Sequence, residues 1–592
     1  MLLAIPLVMA VGVLREPRWY PSVDDAQTEL RVRDVWTANP PLTGLGGRIG
    51  VYGPDQGSHP GPLSFWSLSG FYRLFGADSW ALHAATASLN IIATGLTLWL
   101  LRRRGGLALL LGAAPVLAAL AHAYGGYALT LPWNPYMPVL WWMVFLIGVW
   151  SLLCGDLPVL PVTVFAGSFC MQTHISYVGL VGALAGLSVV AVAYWIFVRR
   201  RDGREWRRSI TSAALGTAVG AVLWFPPVAE QITRSQGGNL DKIVRYFGNP
   251  PEEPLGLGRG LGLVLANLNP WHLLTEPVID GRSFLGGPTL SGALLLIAWA
   301  VAVIVSWRLR HGALLRLHVL LAVVLELGVA SVSRIFGPTW VYLALWVWGI
   351  CAMLVIAVGW SMCALVAKVA PDDARHRLAT AGAVGAVAAL VFVTAQFTVD
   401  AASVSVFQPE LSEASAELVP KTIEALDQGA VPGGGRDGRY LVTWHDPQYL
   451  GGRGFTLFNE LDREGFDVGA PEFFQGAVTR HRVLGPEEAT AGIHLAVGSD
   501  IETWNAEPSY RQIASYDPSG PTGRAEYERL RAEVAVELEA EGRSELTSLF
   551  RENPAAFRYE DGLSEELRER VDRMVELGSP VAVFVGPPLP VD

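Results

Sequence analysis

Residues 79–124 read SWALHAATASLNIIATGLTLWLLRRRGGLALLLGAAPVLAALAHAY. Two uncharged apolar runs, 79–101 and 107–124, flank the basic knot Arg102-Arg103-Arg104 and a glycine pair. Each run approaches the roughly 20 residues that a helix needs to cross a bilayer. The whole is therefore a membrane hairpin whose turn carries the charge, and it sets the solvent in which the rest of the chain must be read.

Working outward, further runs of this kind lie at 1–14, 137–154, 157–172, 175–198, 209–229, 289–307, 314–332, 339–367 and 378–400, about eleven spans in all. The first is short and has no basic flank or small-residue cleavage site. It reads as a first membrane helix whose start lies a few residues upstream, not as a signal peptide. The basic clusters Arg102–Arg104, Arg199–Arg208, Arg308–Arg316 and Lys368–Arg377 each follow an even-numbered span, whereas the short odd connectors 125–136, 173–174 and 333–338 carry only Arg334. Positive charge marks the cytoplasmic side. The N-terminus is then inside, and the odd connectors, including the long loops 15–78 and 230–288, are outside together with the C-terminus. Both long loops are rich in aromatics, Pro and Gly and read as folded on the membrane surface.

Composition agrees. Of 592 residues, 51% are hydrophobic and 17% charged, against roughly 25% charged in soluble chains. The net charge of −10 collects in the C-terminal part and excludes a nucleic-acid partner, which calls for a basic surface. Arginine far outnumbers lysine beside abundant Ala, Gly and Val, the pattern of a GC-rich bacterial genome, so the expected membrane is the bacterial plasma membrane. The four cysteines, Cys154, Cys170, Cys351 and Cys363, all sit in apolar runs and read as buried small hydrophobes.

The expected organisation is a membrane domain 1–400, a linker 401–438 with a Pro-Gly-Gly-Gly turn at 432–435, and an extracytoplasmic α/β domain 439–592. In the last, strand-like runs at 440–444, 478–484, 493–498 and 581–585 alternate with a helix near 454–465 and a charged helical region at 521–577. It holds no phosphate loop, metal cluster or nucleophile motif. His445 and Asp446, at a strand end, read as turn residues, and the domain as an accessory or acceptor-binding one.

Chemistry concentrates in the first outer loop. Asp24 and Asp25 follow Trp19-Tyr20-Pro21, close to the lipid, where carboxylates need hydration, a partner or a function. Further on, Tyr52-Gly53-Pro54-Asp55-Gln56-Gly57-Ser58-His59-Pro60-Gly61-Pro62-Leu63 places Asp55 and His59 in a stiff turn before the aromatic stretch Phe65–Phe75. Solvated loop charges are the plain alternative. Carboxylates, a histidine and a rigid turn in one loop are also what acid/base work on a lipid-borne substrate needs.

This arrangement resembles the GT-C glycosyltransferases, in the branch of the protein O-mannosyltransferases and the lipid A aminoarabinose transferase. A first span, an acidic pair heading the first outer loop, and His59-Pro60-Gly61-Pro62-Leu63 (a variant of basic-Pro-Pro-Leu with glycine inserted) carry the likeness over about residues 1–400. The resemblance implies an inverting sugar transfer from a polyprenyl-phosphate donor on the outer face, with Asp24 or Asp25 as general base. The acceptor is a lipid, a polysaccharide or a protein. Cationic donors must then meet the leaving phosphate. Candidates are His59, His174, Lys242, Arg245 and Arg334, the last resembling the late arginine of the family. Asp55 and Asn134 are candidate substrate-binding residues, and Asp55 with His59 could offer ligands to a divalent cation, although no metal spacing supports one. The plain readings are interfacial snorkelling for Arg334, helix-end packing for His174, a turn for Asn134, and headgroup contact for Lys242 and Arg245.

Two other classes compete. A flippase of a lipid-linked precursor calls for repeats and mid-membrane polar groups, and only Glu326 answers. A non-catalytic envelope scaffold has no need of the acidic pair.

Overall fold

The computed structural model describes residues 2–589 apart from 51, 52, 54, 235, 236, 275–284, 432, 448, 449, 559 and 561. Tyr52, Pro54 and Pro432 of the motifs above thus lie outside the described residues. The chain forms two compact units. The first comprises Met1–Pro17, Val32–Gly50 and Gln56–Val406, and the second Arg18–Arg31, Val51–Asp55 and Phe407–Asp592.

The chain opens with α1 (Ile5–Val13) and α2 (Val23–Asp34), the latter running from the second unit into the first. The first unit continues with a hairpin of β1 (Gly46–Ile49) and β2 (Gly57–Ser58), then α3 (Leu63–Leu74). Apolar helices follow: α4 (Ser79–Thr130), α5 (Val139–Leu153), α6 (Leu160–Thr173), α7 (Val178–Arg199) and α8 (Gly203–Thr233). The second long loop folds as α9 (Asn239–Gly248) and α10 (Gly256–Asn267). Then come α11 (Leu290–Arg308), α12 (Gly312–Ser333), α13 (Trp346–Val369) and α14 (Asp372–Ala401).

Among the described residues, seven helical segments are long and apolar enough to cross a membrane, and Leu2–Val13, Val139–Leu153 and Leu157–Thr173 are shorter apolar helices. The longest, α4, holds both runs of the opening motif. It is broken where Gly105 and Gly106 leave helical geometry, Gly106 at φ 64°, a value that favours a residue without Cβ. The break is the expected turn: His83 Nδ1 lies 3.1 Å from Thr130 O and Asn90 Nδ2 donates to Leu129 O at 2.8 Å, so the two apolar segments fold back on each other. In α8, Pro227 has no N–H to offer the carbonyl four residues back. Gln172 Nε2 takes its place, donating to Leu223 O at 2.9 Å. Glu326, the mid-span carboxylate, is exposed on α12.

The basic connectors gather at one end. Asp156, between α5 and α6, accepts from Arg103 Nη2 at 2.8 Å and Arg104 Nη2 at 2.6 Å. Beside it, Gly155 O accepts from Arg199 at 2.8 Å. Trp150 Nε1 donates to Ala313 O, at the start of α12, at 2.9 Å. The odd connectors meet at the other end, where Gly61 N donates to Gln172 O and Leu255 N to Ile335 O. The sorting of charge by parity is thus a sorting by end.

The second unit is built on a five-stranded sheet of order β4-β3-β5-β7-β6, with β3 (Arg439–His445) parallel to β4 (Asp467–Gly469) and β5 (Ala491–Val497), and β7 (Val581–Gly586) antiparallel to β5 and β6 (Arg511–Tyr516). The helices are α15 (Pro409–Asp427), α16 (Gly452–Arg463), α17 (Gln475–Val478), α18 (Asp500–Ala506), α19 (Gly520–Ala540), α20 (Ser544–Glu552), α21 (Pro554–Phe557) and α22 (Glu565–Leu577). The stretch 401–438, expected as a linker, is largely α15, because Leu411, Ala414, Leu418 and Leu426 line one helical face and bury it. The expected strand at 478–484 is instead α17 and a 3-10 turn Arg480–Arg482, with Val483 alone bridging to Ala470. Thr479 turns the chain there at φ 76°. The edge strand β6 was not foreseen: its six residues carry one fully buried side chain, Ala514, and a register shift. Asp446 is the turn residue expected, its carboxylate accepting from Arg453 N at 3.0 Å and Arg453 Nη1 at 3.2 Å at the start of α16.

Candidate functional site

In the first unit the hairpin delivers His59. Gly44 N donates to His59 O and His59 N to Leu45 O, each at 2.9 Å, which continues the β1–β2 pairing by two rungs. The ring is buried and its Nδ1 accepts the Ile175 amide at 3.1 Å. A neutral imidazole with Nδ1 accepting carries its proton on Nε2. His174 caps the turn Ile175–Tyr177, its Nδ1 accepting from Ser176 N at 3.4 Å and lying 2.8 Å from Ser176 Oγ. The two rings stack with centroids 4.9 Å apart. Burial lowers His59 to about 4. Burial first, and His59 beside it second, hold His174 well below the usual histidine range. Both are therefore neutral N–H donors at physiological pH, not the cations that phosphate binding was expected to use.

Tyr342 edges onto His174 with centroids 6.4 Å apart and onto Trp133 at 4.9 Å, and its hydroxyl accepts from Arg48 Nη2 at 2.6 Å. Asn134 follows Trp133, buried in the turn after α4. Asn239, the first residue of α9, ties that helix to the hairpin: its Oδ1 accepts from Ser58 N at 2.7 Å and its Nδ2 donates to Ser58 O at 3.0 Å. Lys242, one turn on, donates to Gln56 O at 3.4 Å. Arg245 is exposed further along α9, and exposed Arg334 donates to Phe247 O at 3.4 Å. The structure thus gathers His59, His174, Lys242, Arg245 and Arg334 around the hairpin and α9. Arg48, Tyr342 and Asn239 join them. Sequence reasoning passed over these three, since a lone arginine in a short strand, a span-flanking tyrosine and an asparagine opening a helix carry no motif.

Asp24 and Asp25 belong to the second compact unit, as does the exposed Asp55. Both aspartates sit in the first turn of α2, where free N–H groups and the helix dipole favour negative charge. Asp24 is half-buried; Asp25 is buried, and its Oδ1 has no hydrogen-bond partner. Burial, then Asp24 and Glu29, hold the Asp25 carboxyl well above the usual carboxylate range. The pair is therefore differentiated: Asp25 is buried and held toward the neutral acid, whereas Asp24 is half-buried.

A divalent cation does not fit the candidate ligands. The acceptor nitrogen of His59 is taken by Ile175 N–H, and among the described residues no three His, Cys, Asp or Glu side chains converge to hold one.

No family model matches this chain, and no curated protein does. Solved structures do. The structure of ArnT from Cupriavidus metallidurans in the apo state is 15% identical with a TM-score of 0.51, over 87% of this chain and 95% of that one. The same protein bound to undecaprenyl phosphate is 14% identical with a TM-score of 0.50, at the same coverage. At such identity the likeness speaks to the fold alone: this chain shares the fold of those two structures.

Proposed function

We propose that the protein transfers a sugar from a polyprenyl-phosphate donor to a cell-envelope acceptor on the outer face of the bacterial plasma membrane, with Asp24 as general base. The observation that carries this reading is the differentiated acidic pair at the start of α2 in a chain that shares the fold of ArnT. The similar ArnT structure that binds undecaprenyl phosphate supports the donor class.

In the reaction the acceptor hydroxyl gives its proton to the Asp24 carboxylate as its oxygen bonds to the anomeric carbon. The bond from that carbon to the phosphate oxygen breaks, and the lipid phosphate leaves with the electron pair. Asp24 suits the task because it is half-buried and its neighbour Asp25 is held toward the neutral acid. The leaving phosphate needs donors already in place. The stacked His59 and His174 can offer two neutral N–H groups, and the cationic share falls to Arg48, Lys242, Arg245 and Arg334.

The test uses purified protein, labelled polyprenyl-phosphate sugars and envelope extract. Asp24→Asn should lower transfer by about 100- to 10,000-fold, while Asp25→Asn, close in shape to the neutral acid, should keep most of it. Wild-type transfer by Asp24→Asn would overturn the assignment. Lipid-linked sugar crossing vesicles with no donor consumed would replace the enzyme by a flippase.

A further inference from the structure

Residues 18–31 of the first outer loop are built into the C-terminal fold. Tyr20, Ala26 and Leu30 belong to the same hydrophobic core as Leu418 of α15, Val442 of β3 and Phe458 of α16. Polar bonds fix the segment as well. Tyr20 N donates to Ser412 Oγ at 3.0 Å, and Thr456 Oγ1 donates to Pro21 O at 2.9 Å. The Arg31 guanidinium donates to Gly476 O at 2.6 Å and Ala477 O at 2.8 Å. At the centre, Glu29 is fully buried, and its Oε2 accepts from Asn459 Nδ2 and Arg463 Nη2, each at 2.7 Å. Arg463 also donates to the buried Glu460 at 2.6 Å, and Glu460 in turn accepts from Arg18 at 2.8 Å.

This chain of charges sets the helix. Asp25 and Glu29 are four residues apart and share a face, as do Ala26 and Leu30. With Glu29 pinned to α16 and Ala26 and Leu30 in the core, α2 can neither rotate nor slide. Asp24, one step of about 100° from Asp25, is thereby held in the half-buried position. A buried carboxylate is expensive to keep unless paired and bonded, and a surface loop with no task for its helix has no use for such an anchor.

We propose that the C-terminal domain is the seat of the acidic helix, with Arg463 and Asn459 as positioning residues that act through Glu29 to place Asp24. The inference rests on Asp24 being the base. It gives the C-terminal domain a part in the chemical step, beyond any binding of the acceptor.

The test is steady-state transfer by the full-length protein, with whichever polyprenyl-phosphate sugar the wild type consumes. Misplacing a catalytic group by about 1 Å can cost about 100-fold. Arg463→Met should therefore lose about 100-fold in kcat, with donor KM within about 2-fold of wild type. Arg463→Lys, which can still reach Glu29, should recover part of the loss, and Asn459→Ala should lose about 10-fold. Lys421→Ala, on the exposed face of α15, should match wild type. Elution profile and melting in detergent report folding; if Arg463→Met does not fold, Asn459→Ala decides. Folded Arg463→Met or Asn459→Ala with wild-type kcat would overturn the inference, as would equal losses in the Lys and Met variants. Wild-type activity in Asp24→Asn removes the reading beneath it, whereas an inactive Asp24→Asn beside a fully active Asn459→Ala removes the positioning role alone.

Discussion

His59 and His174, 115 positions apart in sequence, stack with ring centroids 4.9 Å apart and 27° between their planes. Each has Nδ1 committed to an N–H of the turn that begins at Ile175. The hairpin and the helix end are therefore locked to one another through rings that cannot both be charged. Whatever the pair binds, it binds as two neutral donors whose direction is fixed by the backbone.

That arrangement makes stability depend on pH. The folded pKa of His59 is about 4, below the unfolded value of about 6.5. The unfolded state takes up the proton first, so the stabilisation is complete above about pH 6.5 and is lost as pH falls toward 4. Between about pH 7 and pH 5 the loss should be about 2 kcal/mol, with His174 acting in the same direction. Melting of the wild type in detergent should drop over this range, and His59→Gln should flatten the slope. A wild-type melting temperature that holds steady down to about pH 5 would show that the rings are not buried neutral.

Sidedness can be read by labelling. In a Cys363→Ser background the remaining native cysteines are half-buried or buried. Arg201 is exposed at the basic end of the first unit, and Asn39 is exposed in the first long loop. A membrane-impermeant maleimide should label Asn39→Cys on intact cells and Arg201→Cys only after permeabilisation. The reverse pattern would invert the orientation and move the proposed reaction to the cytoplasmic face.

Much of this was legible because lipid is a demanding solvent. Runs such as 79–101 admit one reading, and the Arg clusters order them. The acidic pair and the His59 turn were found by residue chemistry and resemblance. What escaped has a common cause. Arg48, Tyr342 and Asn239 gain meaning only from partners far away in sequence: Arg48 from Tyr342, and Asn239 from Ser58. Strand β6 offers too few buried side chains to show a period of two. The choice between Asp24 and Asp25 turned on burial, which two adjacent identical residues cannot reveal. The division of the first outer loop between two cores was equally hidden, since Ala26 and Leu30 look like any helical pair.

That division yields the sharpest contrast between two substitutions. Leu30 in α2 and Leu68 in α3 both lie in the loop 15–78, and both are buried, at 1% and 0% exposure. Leu30 packs in the core of the C-terminal fold, whereas Leu68 belongs to the first unit. Leu→Ala at a packed site costs about 2–5 kcal/mol. Leu30→Ala should therefore loosen Phe407–Asp592, more than 370 residues downstream, and speed its cleavage in limited proteolysis. Leu68→Ala should leave the cleavage rate of that region at the wild-type value. Equal rates in the two variants would mean that the C-terminal fold closes its core without α2, and the acidic helix would lose its seat there.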